Sequence, residues 1–151
     1  MSYGVHDLVP HRGPMSLLDR IDGYGDDWLR ASVEIQPGNL FATADGVPAW
    51  VGIEYMAQAA SAFGGIEQVQ RGEPPSIGLL IGARYYRSMV EVFPFGARLD
   101  VLAKIALRDT EDFAAYDCTL TSAGTRLAEC VLKAYRPRDL APLLSGSAAR
   151  G

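Results

Sequence analysis

Histidine is nearly absent from this chain: His6 and His11 lie together near the N-terminus, and no other follows through residue 151. Two histidines so placed offer no metal-ligand spacing. The two cysteines, Cys118 and Cys130, have no histidine nearby and are too few for a zinc site. No metal and no organic cofactor is expected. A basic patch is also missing. The 14 Lys and Arg residues are scattered among 18 Asp and Glu, for a net charge of −4, which argues against nucleic acid or an anionic membrane surface as the main partner. No stretch reaches the roughly 18 consecutive apolar residues that a membrane span requires. Even the most apolar segment, residues 47–63, is interrupted by Glu54 and Gln58. The first ten residues lack a basic region followed by an apolar run, so no secretory signal is expected. The expected location is the cytoplasm.

What is present fits one domain. The length of 151 residues is that of a single domain able to bury a real core, and 48% hydrophobic with 21% charged residues is ordinary for a globular protein. The boundaries expected are a folded unit over residues 1–137 and a weakly ordered tail over 138–151, where Ser, Gly and Ala dominate.

Turn signals divide the rest. Residues 17–24 and 28–35 suit two strands joined by Gly25-Asp26-Asp27. In the second, Leu29, Ala31, Val33 and Ile35 alternate with Arg30, Ser32, Glu34 and Gln36, the period-two pattern of a half-buried strand. Residues 48–69 form the expected long helix, with Pro48 in its first turn, where a missing N–H costs nothing. Over its first four turns this helix carries Trp50, Val51, Ile53, Tyr55, Met56, Ala57, Ala59, Ala60, Ala62 and Phe63. A helix apolar on all sides is expected to be buried on all sides. Glu67, Gln68, Gln70 and Arg71 should bring its second half into solvent. Strands are expected over residues 77–86 and 98–107. A hairpin over 113–121 and 125–135 would turn at Ser122-Ala123-Gly124, setting Cys118 and Cys130 opposite each other as small, reduced, buried residues.

Two strands, one apolar helix and four more strands imply an antiparallel sheet curled around a single central helix, the α+β architecture called the hotdog fold. Such a sheet leaves an edge open, and proteins of this fold commonly pair edge to edge, so a homodimer or heterodimer is expected.

Glu54 and Gln58 are four residues apart and share one helix face, with Ser61 three further on. A carboxylate in apolar surroundings loses hydration, which favours proton exchange near neutral pH and so suits a general acid or base. Gln58 could orient it or hold a substrate carbonyl. The plainer alternative is a structural carboxylate paired with a base such as Arg12 or Arg84, or one facing a dimer seam.

The run Leu8-Val9-Pro10-His11-Arg12-Gly13-Pro14-Met15-Ser16-Leu17-Leu18-Asp19-Arg20 resembles the opening of bacterial 3-hydroxyacyl-(acyl-carrier-protein) dehydratases. Pro48-Ala49-Trp50-Val51-Gly52-Ile53-Glu54-Tyr55-Met56-Ala57-Gln58 is similar to their central-helix motif, and Phe93-Pro94-Phe95-Gly96-Ala97-Arg98-Leu99 to a later strand entry. The resemblance spans about residues 5–136. It is closer still to the dehydratase-like subfamily of aryl-polyene biosynthesis clusters, whose members carry a Pro-His-Arg-x-Pro-Met opening and the block that stands here at residues 47–58.

The resemblance implies removal of water from a 3-hydroxyacyl thioester on acyl carrier protein, in fatty-acid or aryl-polyene lipid synthesis. It implies Glu54 as catalytic carboxylate and Gln58, Ala49 and Trp50 as substrate-binding neighbours. Ala49 stands where the dehydratases have a glycine whose N–H polarises the thioester carbonyl. There is one departure. The family's catalytic histidine precedes the glutamate by a spacing that lands here on Leu40. Dehydration generally uses two groups, a base for the α-proton and an acid for the departing hydroxyl. His11 is the one local candidate for the second role, with Arg12 and His11 otherwise expected to fix the N-terminal segment. Three functions follow: a dehydratase, a non-catalytic hotdog partner of a histidine-bearing subunit, or an acyl thioesterase on the same fold.

Overall fold

The computed structural model describes residues 17–73, 79–108 and 113–135. The Pro-His-Arg opening, the expected tail over 138–151 and the boundary at 137 lie outside them. In chain order the elements are β1 (Arg20–Tyr24), β2 (Trp28–Glu34), β3 (Gly46–Pro48), a 3-10 turn (Ala49–Val51), α1 (Gly52–Gln70), β4 (Leu79–Ser88), β5 (Val92–Pro94), β6 (Arg98–Arg108), β7 (Phe113–Ser122) and β8 (Thr125–Tyr135). Six strands form one sheet in the order β1-β2-β6-β7-β8-β4, and β3 pairs with β5 in a two-stranded sheet. Every pairing is antiparallel.

The sheet's inner face follows from alternation. Leu29, Ala31 and Val33 of β2, Leu99, Val101 and Ala103 of β6, Tyr116, Cys118 and Leu120 of β7, and Ala128, Cys130 and Leu132 of β8 are all buried. Against them α1 lays Tyr55, Met56, Ala59, Ala62, Phe63 and Ile66. Burying each large side chain of this kind contributes about 1.5–3 kcal/mol. The expected cysteine register holds: Cys118 faces Cys130 across β7 and β8, both are free, and both are buried. The hydrogen bond to Cys130, together with burial, pushes the Cys118 thiol well above its ordinary range.

Three details depart from expectation. Pro48 precedes the helical residues rather than joining them. Its extended backbone (φ −58°, ψ 145°) ends β3, and the chain enters α1 through the 3-10 turn. The β3–β5 sheet has three residues per strand, too few for a period-two pattern to register. Gly46 is needed there: at φ 148°, any Cβ would collide with the Phe93 carbonyl. Finally, the described strands do not cover α1 all round. Ile53, Glu54, Ala57 and Ser61 are only half-buried and Trp50 is 60% exposed, because one sheet wraps one side of a helix. Gln68, expected in solvent, is buried, and only Gln70 and Arg71 emerge. The helix then stops at Gly72 (φ 79°), with the Glu73 N–H donating to the Gln68 carbonyl at 2.9 Å.

Candidate active site

Trp50, Ile53, Glu54, Ala57 and Ser61 recur at helical spacing, so they form one stripe along the side of α1 that the sheet leaves open. The stripe is apolar apart from Glu54 and Ser61. Glu54 lies in the first turn of the helix, at the end that carries the partial positive charge of the unpaired N–H groups.

Glu54 is held from behind. The Gln58 Nε2 donates to Glu54 Oε1 at 3.2 Å, and the Gln58 Oε1 accepts the Leu17 N–H at 2.9 Å. Gln58 itself is 0% exposed. The expected Glu54–Gln58 pairing is therefore present, with both polar ends of the carboxamide turned toward groups of the same chain.

The entry to α1 is tied to the far sheet edge. The Ala49 N–H donates to the Glu91 carbonyl at 3.0 Å, and the Ala49 carbonyl accepts the Gly52 N–H and the Tyr86 hydroxyl. Ala49 thus has both peptide groups engaged within the chain. A thioester carbonyl at its N–H would have to share or displace the bond to Glu91. Tyr86 was not singled out by the sequence, where it is one of two adjacent tyrosines in a strand. What aims it inward is a break in register between Arg84 and Arg87, with Tyr85 in the left-handed region (φ 58°) and 81% exposed. Burial pushes the Tyr86 phenol up, and burial pushes Tyr55 up further, with Asp19 adding to the shift at Tyr55.

Trp50 packs edge-on against Phe41, with ring centroids 5.2 Å apart. Phe41 takes a left-handed conformation (φ 71°) that is unusual for so bulky a residue. Its neighbour Leu40 occupies the position reached by the dehydratase histidine spacing, and the described residues contain no histidine. His11 lies outside them. The site as described thus brings together Glu54 and Gln58 directly, with Ala49 and Trp50 at the same end of α1. A separate polar cleft of about 360 Å³, lined by Asp22, Arg30, Arg98, Asp100 and Thr121, shares no residue with the stripe. Among the described residues, no helix is long and apolar enough to cross a membrane.

A six-stranded antiparallel sheet around one long helix, with a carboxylate in that helix's first turn, defines a hotdog protein. The sequence matches the ApeP-like family, described as ApeP dehydratase, over residues 3–145. The chain belongs to this family of dehydratases, the one to which its motifs pointed. Its structure is similar to a chain of the dehydratase heterocomplex ApeI:P from Xenorhabdus doucetiae, with 29% identity, a TM-score of 0.86, and coverage of 95% of this chain and 97% of that one. More distant likenesses share the fold. The E. coli PaaI protein, from the phenylacetic acid degradation operon, matches at 12% identity and TM-score 0.59 over 77% of this chain and 81% of its own. An HP0420 homologue from Helicobacter felis matches at 12% and 0.64, over 88% of both chains. A search of curated protein sequences returned no match.

Proposed function

We propose that this chain is one half of a two-subunit dehydratase, supplying Glu54 to a site that a histidine-bearing hotdog subunit completes. The substrate is a 3-hydroxyacyl thioester carried on acyl carrier protein, which makes the cytoplasm the place of action. The observation that carries the reading is the open stripe of α1, apolar except for Glu54 and Ser61, with Glu54 held by a buried glutamine. An acyl chain or a partner surface suits such a stripe, because either removes Trp50, Ile53 and Ala57 from water.

The reaction needs the α-proton taken by a base and the hydroxyl at carbon 3 released with a proton, leaving water and a trans-2-enoyl thioester. Glu54 supplies one proton-transfer group. In a mixed complex the partner's imidazole supplies the other, and the partner also offers a source of the carbonyl-polarising N–H that Ala49 has committed to Glu91. The resemblance to a chain of a dehydratase heterocomplex supports this division of labour.

The test is to purify the chain alone and from its own host, where a histidine-bearing hotdog subunit is expected to copurify. Each preparation is given a 3-hydroxyacyl thioester, and enoyl product and free thiol are followed. Enoyl formation by the mixed complex and at most slow turnover by the chain alone is the expected result. Full dehydration by the chain alone would overturn the need for a partner. Thiol release without enoyl product would make the protein a thioesterase.

A further inference from the structure

The Gln58 side chain lies wholly inside the protein, yet its two polar ends are not equivalent. A peptide N–H can only donate, so the Leu17 N–H selects the oxygen of the carboxamide. The NH2 end must then face Glu54. The orientation is fixed by the backbone rather than by the carboxylate. Leu17 is itself fixed, since the next residues are locked to the sheet. Leu18 is buried in the core, the Asp19 N–H donates to the Ser32 carbonyl at 2.9 Å, and Asp19 Oδ2 accepts the Glu34 N–H at 2.7 Å.

We propose that Gln58 is a positioning residue: the sheet-anchored Leu17 N–H sets its carboxamide, and the carboxamide holds Glu54 Oε1 as a hydrogen-bond acceptor. That bond takes up one lone pair of Oε1 and limits rotation of the carboxylate about its own bond. Gln58 does not bind substrate in this arrangement, because it is fully buried and both polar ends point at groups of its own chain. The residue that leads into β1, 41 positions away in sequence, thereby acts on the reacting carboxylate.

This inference rests on the reading of Glu54 as the reacting group, so its test carries Glu54→Gln as a parallel arm. The copurified complex is prepared with Gln58→Glu, Gln58→Met or Glu54→Gln in this chain, and kcat and KM for a 3-hydroxyacyl thioester are measured. Gln58→Glu keeps an oxygen for the Leu17 N–H but sets a second buried carboxyl against Glu54, so the two share one proton and Glu54 loses its fixed carboxamide donor. It should lower kcat at least tenfold, leave KM within about twofold and shift the pH–rate profile, with some loss of thermal stability. Gln58→Met should lose both bonds and lower kcat as far or further. Should Gln58→Met fail to fold, Gln58→Glu decides. A parent-like kcat in Gln58→Glu, or a raised KM at unchanged kcat, overturns the positioning role. Full turnover in Glu54→Gln, or a parent complex without dehydratase activity, overturns the functional reading beneath it. An inactive Glu54→Gln beside a fully active Gln58→Glu overturns this inference alone.

Discussion

Gly52→Ala is a substitution that helix propensity recommends and this structure forbids. At a helix position Ala is favoured over Gly by about 1 kcal/mol. Here, however, the added Cβ would lie 2.5 Å from the Tyr86 hydroxyl, 3.0 Å from Leu120 Cδ1 and 3.3 Å from Phe93 Cζ. Tyr86 would have to withdraw, giving up its bond to the Ala49 carbonyl, for a net loss of about 1 kcal/mol. Crowding against Leu120 and Phe93 adds about 1–3 kcal/mol. The balance is a destabilisation of about 1–3 kcal/mol. For a chain of this size that lowers Tm by roughly 2–10 °C. Calorimetry or a circular-dichroism melt reads this directly. Tyr86→Phe alone should cost about 1 kcal/mol, since the Ala49 carbonyl keeps its bond from the Gly52 N–H. In the Tyr86→Phe background, Gly52→Ala should cost about 1 kcal/mol less than in the parent, because the closest contact has gone. A Gly52→Ala protein as stable as the parent, or additive effects of the two changes, would refute the claim that Gly52 is a notch for Tyr86.

Other expectations concern the core and the buried phenols. Phe63 is 1% exposed beneath the sheet and packs edge-on against Tyr116, so Phe63→Ala should cost about 3–5 kcal/mol in urea unfolding; a loss below about 1 kcal/mol would mean the helix is not seated as described. Tyr55 and Tyr86 both titrate above their ordinary range, so the folded chain keeps protons that the unfolded chain releases near pH 10. Their contribution is fully present below about pH 10 and is lost as pH rises beyond it. Urea midpoints should therefore fall from about pH 10 upward, and Tyr55→Phe should flatten that decline; an unchanged slope would remove Tyr55 as its source.

The elements with strong periodicity were legible in the sequence. Residues 28–35 announced β2 by alternation, the Ser122-Ala123-Gly124 turn set β7 against β8, and the apolar run after Pro48 announced α1 within a few residues of its observed bounds. Composition could not show which side of α1 lies open. Ile53 and Ala57 are as apolar as Tyr55 and Ala59, and only the placement of a single sheet separates them. Glu54 and Gln58 were legible as a pair because helical spacing brings i and i+4 together. The third member, Leu17, contributes a backbone N–H, which any residue type carries. Tyr86 was hidden for a related reason: its inward aim depends on a bulge at Tyr85, and a regular strand register would not reveal it. Ala49 shows the converse. The motif implied an N–H for a thioester carbonyl, and the fold directs that N–H to Glu91.

In the mixed hotdog complex proposed above, this chain lends Glu54 to dehydration. The most direct measurement is the rate of enoyl formation by that complex with Glu54→Gln in this chain, its assembly checked by size-exclusion chromatography. The complex should stay intact and its rate should fall by about 10²–10⁴-fold, the range that a proton-transfer group supplies. An intact complex dehydrating at the parent rate would contradict it, and would leave this chain as a scaffold for its partner.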